Sequence, residues 1–323
     1  MAPGALPIEI LFPILAIFGI PANLMTLLIL SDGKCGLSQG ITCYMRAMAT
    51  ADLMVLVFNV IVNEIIMNHF PGSPMNYTLI CRLNTFLQGL SLQLSIWFTI
   101  AFTFDRFVVI CCHRLKVRYC TERKANVVIS TVSVLNIIIN IPLPFRYEAA
   151  YVVNSVQWGC HTITSYHTSP GWTAHRWVTN ISTMFLPIPL LLLLNSLTAQ
   201  HILVASRARR ALKVSSSGGA GKLGSDPELK SRRTSIILLF TISGCFVVLS
   251  MPITVIHICV GVTQTVTFVG SNSLYLAIRV TFLMMCTSSC TNTCIYALTQ
   301  RRFREEMKKL VKSPYSILCK LHM

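Results

Sequence analysis

Ionisable side chains are rare within the long apolar stretches of this sequence, and the few present are the residues best able to do chemistry. Asp52 lies in the middle of RAMATADLMVLV, and the pair Asp105 and Arg106 ends the apolar run that contains FTFDRFVVICCH. A charge at the centre of a bilayer costs about 2.5–3.5 kcal/mol on insertion scales, so each group should face the protein interior or water and indicates a function. Further polar residues in these stretches are Asn23, Ser95, Ser288, Ser289 and Asn292.

Patterns typical of enzymes and metal proteins are missing from the sequence. It contains no pair of intramembrane aspartates and no HExxH. The 13 cysteines are scattered through apolar runs without zinc-type spacing, which favours small buried hydrophobic residues. The fragment GGAGKLGS lacks the spacing of a phosphate-binding loop. We therefore expect no enzyme activity and no nucleotide site.

The composition indicates a membrane protein. Of the 323 residues, 53% are hydrophobic and 12% are charged, about half the charge of a soluble chain. Apolar stretches long enough to cross a hydrocarbon core of about 30 Å must be helical, because lipid offers no partner for an open strand edge. We predict an all-α fold, a seven-transmembrane helix bundle over residues 1–299. Its spans lie near 6–30, 42–67, 80–111, 125–146, 174–205, 234–262 and 272–298.

The basic residues predict the orientation of these spans. The net charge is +16, and most of the 27 Lys and Arg lie in alternate connections, 31–40, 112–124 and 206–233, and in the tail from Gln300. The other connections are free of Lys and Arg, so the amino terminus is predicted to be extracellular. This placement indicates attraction to anionic lipids of the inner leaflet and argues against a nucleic-acid partner.

Two cytoplasmic segments follow from the same pattern. Loop 206–233 contains the Gly- and Ser-rich stretch VSSSGGAGKLGSDP and is predicted to be flexible. Residues 300–323 are predicted to form a short amphipathic eighth helix and a tail. In the segment from Leu298 to Leu310, one helical face carries the apolar residues Leu298, Phe303, Met307 and Leu310, and the opposite face is basic. This helix should therefore lie along the inner surface of the membrane.

The order of the motifs resembles that of rhodopsin-like (class A) G-protein-coupled receptors. The resemblance covers nearly the whole chain. It is carried by Asn23, the ATAD motif ending in Asp52, Cys81 lying 25 residues before Arg106, the triplet Asp105-Arg106-Phe107, the run Asn292 to Tyr296, and Phe303. More narrowly, GIPANLMTLLIL, SIWFTIAFTFDRFVVICCHRLK, the LLNS after Pro187 and SSCTNTCIYA resemble an orphan branch whose better-known members respond to tryptophan and phenylalanine.

The resemblance implies a sodium site. Asp52, Ser95, Ser289 and Asn292 would surround a partly hydrated ion with oxygen atoms, and the carboxylate would supply the charge that hard cations prefer. The alternative is a protonated Asp52 that is hydrogen-bonded to Asn23 and Asn292, without an ion. Sodium would act as an allosteric modulator, and no other cofactor is expected.

The resemblance also implies a switch at the inner end of the third span. Asp105 would hold Arg106 at rest, and Arg106 would meet a G protein once the sixth span moves outward. The alternative is a plain arginine at the lipid interface. The family often adds an acidic partner at the base of the sixth span, where this sequence has Arg232. We therefore predict a raised basal signal.

The remaining switch residues depart from the family pattern in part. Pro252 and Phe246 match the sixth-span kink and the aromatic residue below it, and a proline inside a helix bends it. Ser250 replaces the usual tryptophan. Asn195 replaces the usual tyrosine of the fifth span, and Tyr296 ends a motif in which Thr293 replaces the proline. With these changes the sequence supports the family fold but does not establish that the family's activation relay is retained.

Covalent modifications are also implied. The family disulfide would join Cys81 to Cys160 in the oxidising exterior. Asn76-Tyr-Thr is an outward-facing glycosylation sequon, although it lies close to the membrane. Cys319 follows the amphipathic segment, where either palmitoylation or a free thiol is expected.

Family position suggests a ligand pocket between the helices. Arg279 could bind a ligand carboxylate, and Glu64 is the acid of the outer second span. The third span offers no carboxylate on its pocket face, which argues against an aminergic ligand. For each pocket residue the alternative is interior packing. The predicted lining is Gln88, Ser91, Leu92, His175, Thr179, Ile256, His257, Leu276 and Arg279.

These inferences together predict a plasma-membrane receptor that passes an extracellular small-molecule or short-peptide signal to a heterotrimeric G protein. The resemblance favours the Gq class. One alternative is a receptor-like protein with weak or no coupling. Another is a transporter, which would need broken spans in corresponding halves of the chain, and no such symmetry is visible.

Overall fold

The structure, a computed structural model, describes residues 5–33, 35–112, 119–166, 168–215, 227–263 and 272–321. Within these residues seven helical spans are long and apolar enough to cross a membrane, which confirms the predicted seven-transmembrane bundle. Four spans are single helices: the first is Ala5–Ser31, the third Thr78–Cys111, the sixth Pro227–Thr263 and the seventh Asn272–Thr299. Three spans combine helical segments: the second Gln39–Val55 and Leu56–Met67, the fourth Glu122–Asn140 and Leu143–Arg146, and the fifth Pro170–Asn180, Ile181–Phe185 and Pro187–Ser215.

The third span forms the centre of the bundle. In its most apolar window 61% of the residues are buried, compared with 17% in the fourth and fifth spans. The largest apolar cluster packs Phe102 of the third span against Tyr44 and Met45 of the second and Tyr296 of the seventh. These four side chains are almost completely buried. The polar residues on the third span are therefore held within a packed interior.

Two spans contain underwound π-helical segments. In the second span the segment Leu56–Met67 follows Asp52 and carries Asn59 and Glu64, which are both buried. In the fifth span Ile181–Phe185 precedes Pro187. There the amide of Leu186 bonds to the carbonyl of Ile181, five residues earlier, at 2.9 Å. Such segments inside helices are often found at functional sites.

The connection between the fourth and fifth spans contains β-structure that the all-α prediction missed. Strands β1 (Tyr147–Glu148) and β4 (His161–Thr162) pair antiparallel, as do β2 (Tyr151–Val153) and β3 (Val156–Trp158). Positive φ angles at Asn154 and Ser155 form the turn between β2 and β3. The sequence pattern that indicates this hairpin is the short run VVNSVQW, in which an Asn-Ser turn lies between β-branched residues.

A disulfide joins this connection to the third span, as predicted. It links Cys81 to Cys160. Beside it, the hydroxyl of Thr78 donates to the carbonyl of Gly159 at 2.8 Å, and Tyr77 packs against Trp158 with ring centroids 4.5 Å apart. We call the end of the bundle that carries the disulfide the outer end and the opposite end the inner end.

The structure shortens the predicted loop 206–233. The fifth span continues as helix to Ser215 and the sixth begins at Pro227, because SRARRALK and ELKSRR consist largely of residues that favour helices. Residues 216–226 lie outside the described residues.

At the inner end an eighth helix, Arg301–Leu321, follows the seventh span and is longer than the predicted segment. It is anchored by Phe303, which is completely buried and meets the Tyr296 ring edge-on at 5.8 Å.

Candidate functional site

The carboxylate of Asp52 is the centre of a polar network in the middle of the bundle. Asp52 is fully buried. Its two oxygens accept hydrogen bonds from the Ser95 hydroxyl at 2.5 Å and from the Asn292 amide at 2.8 Å. Ser289 is the third side chain that hydrogen-bonds to this carboxylate. The structure thus brings together all four residues of the predicted sodium site, and we call them the Asp52 network.

Asn23 supports this network through the backbone. Its amide group donates to the carbonyl of Ser289 at 2.9 Å and to that of Gly19 at 3.0 Å. The ion-free alternative required a direct bond from Asn23 to Asp52, and the Asn23 amide instead bonds to the seventh-span backbone. One helical turn further in, the hydroxyls of Thr26 and Thr293 lie 2.9 Å apart. Thr293, where the family has proline, therefore ties the seventh span to the first.

A small cavity lies next to the network, and its polar wall fits a hard cation. Ser95 and Asn292 contribute to both the cavity and the bonds of Asp52. Hydroxyl and amide groups beside a buried carboxylate supply oxygen ligands of the kind that hard cations prefer, although the cavity lining itself does not include Asp52 or Ser289. The cavity is lined by Ser95, Thr99, Ile242, Phe246, Ser288, Thr291 and Asn292.

Phe246 forms the inner wall of this cavity and connects it to the sixth span. The hydroxyl of Ser250 donates to the carbonyl of Phe246 at 2.6 Å, so the serine at the usual tryptophan position bonds within its own helix. Pro252 lies inside the sixth span, where it removes one backbone hydrogen bond. Ser250 does not line the cavity, so Phe246 is the residue through which the cavity contacts the helix that carries Pro252.

Arg106 lies buried at the inner end of the third span. Its guanidinium donates to Oδ2 of Asp105 through Nε at 3.0 Å and also through Nη2. It also lies 5.9 Å from the centre of the Phe102 ring. Tyr119, in the connection after this span, is partly buried; burial, followed by the Asp105 charge, raises its pKa, so the phenol stays neutral. The arginine is held in the bundle rather than exposed at the interface.

The fifth and sixth spans are joined near the inner end by the residue that replaces the family tyrosine. The Asn195 amide donates to the Ser243 hydroxyl at 2.8 Å. The Tyr296 hydroxyl is buried and has no hydrogen-bond partner among the described residues. The four predicted switch residues are thus found in three places: Asp105 and Arg106 form a pair, Asn195 bonds to the sixth span, and Tyr296 packs in the apolar cluster with Phe102.

An ion pair closes the outer half of the bundle. Arg279 of the seventh span donates to Glu64 of the second, and both side chains are largely buried, with relative exposures of 17% and 5%. Asn63 and Asn68 donate to the same carboxylate at 3.1 and 3.3 Å. The Arg279 guanidinium lies over the Phe12 ring at 5.1 Å. Arg279, predicted for a ligand carboxylate, therefore already has an internal one.

The predicted ligand residues are distributed over three places. Leu92 and Leu276 pack in one apolar cluster with Phe12, directly below Arg279. Ser91 accepts from Asn59 at 3.0 Å and donates to the carbonyl of Gln88 at 2.9 Å. These residues form one group between the second, third and seventh spans.

The other predicted ligand residues bond within or between neighbouring helices. His175 meets the carbonyl of Ile139 on the fourth span at 2.9 Å, and Thr179 donates to the carbonyl of His175 at 3.1 Å. His257 contacts the carbonyl of Ile253 at 2.8 Å, one turn from Ile256. The structure places these residues on different walls of the bundle.

A second buried network, between the third, fourth and fifth spans, was missed from the sequence. The Asn140 amide donates to Gln93 Oε1 at 2.5 Å, and the Gln93 amide donates to Thr183 at 3.0 Å. A Cβ added to Gly89 would lie 2.6 Å from Asn140 Oδ1, so the Asn140 side chain would have to move away from a larger residue at this position. Amides inside apolar spans are uncommon and mark helix contacts, which is the signal that could have revealed the network.

The structure describes the side chain of one of the two predicted modification sites. Asn76 is only 9% exposed, and its amide donates to the carbonyls of Phe70 and Pro71 at 3.0 and 3.2 Å. Glycosylation at Asn76 stays a prediction, and in this fold its acceptor nitrogen is hydrogen-bonded to the backbone. Cys319 lies in the eighth helix, and Arg232 lies in the sixth span, but their side chains lie outside the described residues.

Comparison with known families agrees with this geometry. Residues 22–296 match the family described as 7 transmembrane receptor (rhodopsin family). The match covers most of the chain and extends from the first span to Tyr296, at the inner end of the seventh. This is a family of signalling receptors and not of enzymes. The chain belongs to the rhodopsin family of seven-transmembrane receptors.

Proposed function

We propose that this receptor transmits an extracellular small-molecule or short-peptide signal to a heterotrimeric G protein at the plasma membrane. The observation that carries the proposal is the buried Arg106, paired with Asp105 at the inner end of the central span. Among the described residues the acidic partner of Arg106 is Asp105, its neighbour in the chain, and outward movement of the sixth span would open the inner end of the bundle around this pair. Arg106 would then contact the G protein.

The orientation of the chain supports this direction of signalling. The disulfide lies at the end of the bundle whose connections lack Lys and Arg, and disulfides persist in oxidising compartments. The basic connections and the eighth helix lie at the other end. We infer that the amino terminus is extracellular and that Arg106 faces the cytoplasm.

Sodium binding at the Asp52 network would stabilise the resting state. The network joins the second, third and seventh spans through a single carboxylate. An ion there would hold these spans together, and outward movement of the sixth span would shift the cavity wall at Phe246. Sodium would thus act as a negative allosteric modulator.

The closer family position is also a proposal. The orphan branch that responds to tryptophan and phenylalanine is supported by the motifs of the first, third, fifth and seventh spans, and it favours the Gq class. Arg232, in place of an acidic partner for Arg106, supports a raised basal signal.

A second-messenger panel in transfected cells tests the proposal. We expect a basal signal above that of empty vector, a response to aromatic amino acids in the inositol-phosphate assay, and loss of both in Arg106→Ala at equal surface expression. Equal signals from wild type, Arg106→Ala and empty vector would instead favour a receptor-like protein that does not couple.

A further inference from the structure

Two arginines at the outer end of the bundle share one aromatic ring. The guanidinium carbon of Arg146, where the fourth span ends, lies 5.4 Å from the centre of the Tyr166 ring. That of Arg176, in the fifth span, lies 5.6 Å from the same centre. Tyr147 and Trp172 complete the group, with Trp172 5.9 Å from Tyr166. We call these five residues the Tyr166 cluster.

The hydrogen-bond partners of Arg146 among the described residues are neutral. Arg146 donates to the hydroxyls of Tyr147 at 2.5 Å and of Tyr166 at 3.4 Å. Its Nε is buried and has no hydrogen-bond partner among the described residues. Phenolic hydroxyls and ring faces orient a guanidinium but do not neutralise it. Two positive charges are therefore held against one ring by groups that do not neutralise them, as far as the described residues show.

The acids at the outer end are engaged elsewhere. The sequence has three on this side, Glu9, Glu64 and Glu148. Glu9 lies 3.8 Å from His69, Glu148 lies 3.1 Å from His161, and Glu64 pairs with Arg279. In the part of the chain that the structure describes, neither arginine of the Tyr166 cluster forms a salt bridge. An external anion would meet no internal competitor there.

We propose that the Tyr166 cluster binds the carboxylate of a small organic acid and is the anion-recognising part of the ligand site. The proposal rests on the proposed receptor function and names the chemical class of its ligand. A guanidinium matches the planar carboxylate through two parallel hydrogen bonds, and aromatic walls strengthen the attraction by excluding water. Both arginines, and the tyrosines beside them, are partly exposed, so a solute can reach them.

The cluster is continuous with residues predicted from the sequence to bind ligand. Trp172 meets the His175 ring edge-on at 6.0 Å, and the Thr179 hydroxyl donates to the carbonyl of Arg176 at 3.0 Å. A ligand whose carboxylate binds at Arg176 would therefore extend along the inward side of the fifth span. The rest of the ligand would then contact His175 and Thr179.

Binding is tested on the full chain in phosphatidylcholine nanodiscs. The probes are 3-phenylpropanoate and the uncharged 3-phenylpropanamide, and the readout is the melting temperature over a titration. We expect the acid to raise the melting temperature, the amide to have no effect, and Arg176→Gln to weaken acid binding roughly tenfold or more. Arg146→Lys keeps the positive charge but loses the paired N–H groups of the guanidinium, so it should weaken acid binding less than Arg176→Gln does. The control is Arg301→Gln, an exposed arginine of the eighth helix, which should bind as wild type does.

Two results would overturn the proposal. One is an equal response to acid and amide, or an acid response that survives in Arg176→Gln. The other appears when phosphatidylglycerol is added to the nanodiscs: an Arg176-dependent stabilisation by the lipid that abolishes the acid response would assign the cluster to lipid phosphate. Basal G-protein activation, measured on the same samples, separates these failures from a failure of the receptor function.

Discussion

Asn195 of the fifth span and Ser243 of the sixth are joined by a hydrogen bond of 2.8 Å. Ser243 in turn donates to the carbonyl of Leu239 at 2.7 Å, so its hydroxyl accepts from Asn195. Ser243 is completely buried. The bond connects the fifth span to the sixth. Outward movement of the sixth span, which the proposed function requires, would strain this bond, so we expect it to restrain the resting state.

Loss of this bond should raise basal signalling. A buried hydrogen bond between neutral groups contributes about 0.5–1.5 kcal/mol, so Asn195→Ala should increase the active population roughly twofold to tenfold. Ser243→Ala should act in the same direction, and the double variant should add little to either change. The measurement is basal inositol phosphate at matched surface expression.

The matched control is Thr241→Ala, because the bond that this partly buried threonine of the same span forms among the described residues stays within its own helix, at Ile237. We expect wild-type basal activity from it. If Asn195→Ala and Thr241→Ala gave the same basal signal, the restraint would have no role.

Sodium should stabilise the receptor through Asp52. With sodium at several times its dissociation constant, the resting state gains about 1 kcal/mol, which corresponds to a rise in melting temperature of about 2–4 °C. Replacement of sodium by choline at constant ionic strength should remove this gain. Asp52→Asn should melt at the same temperature in both salts, since it keeps polar groups in the network but loses the charge.

Ser95→Ala provides the second variant for this test, because it removes one ligand and leaves the carboxylate. It should reduce the sodium effect without abolishing it. A sodium effect of full size in Asp52→Asn would show that the ion binds elsewhere.

The Glu64–Arg279 pair should be more sensitive to the loss of one partner than of both. Arg279→Gln leaves a buried carboxylate without its cation, a change that costs about 3–5 kcal/mol for a buried pair. Arg279→Gln should therefore lower surface expression and melting temperature strongly, and the addition of Glu64→Gln should restore most of both. A double variant no more stable than Arg279→Gln alone would contradict the assignment.

Two glycines allow a matched comparison in the bundle. A Cβ at Gly89 would lie 2.5 Å from Leu143 and 2.6 Å from Asn140, whereas a Cβ at Gly244 would meet nothing within 4 Å. Gly89→Ala should destabilise the protein by about 1–3 kcal/mol through overpacking. Gly244→Ala should be neutral or stabilise by up to about 1 kcal/mol, since alanine is the better helix former. Thermal melting in detergent measures both, and equal melting temperatures would exclude the close approach.

The sequence was sufficient to predict the seven spans and the residues around Asp52. Long apolar runs have only one way to satisfy their backbone in lipid, and the rare polar groups within them must turn inward. Ser95, which lies in the third span, is three turns from Arg106, so its position could be read from the helical period together with the family resemblance.

The side-chain partners could not be predicted in the same way. Glu64 and Arg279 lie 215 positions apart, and their contact depends on how the underwound second span rotates. The same holds for Gln93 and Asn140, whose contact requires a glycine on the facing helix. Helical periodicity gives the face of a helix on which a residue lies but not the rotation of that helix in the bundle. The turn at Asn154 was not predicted because the strong apolar pattern of the whole chain favoured helices and obscured the short strands on either side of the turn.

The role of Arg106 is tested most directly by nucleotide exchange with purified components. Wild type, Arg106→Ala and Arg123→Ala in nanodiscs are mixed with a purified heterotrimeric G protein, and the initial rate of GTP-analogue uptake is measured without ligand. Arg123 is an exposed arginine at the inner end of the fourth span and serves as the charge-matched control. We predict uptake above that of empty nanodiscs for wild type and Arg123→Ala, and uptake at the level of empty nanodiscs for Arg106→Ala. Equal uptake by wild type and Arg106→Ala would contradict the account.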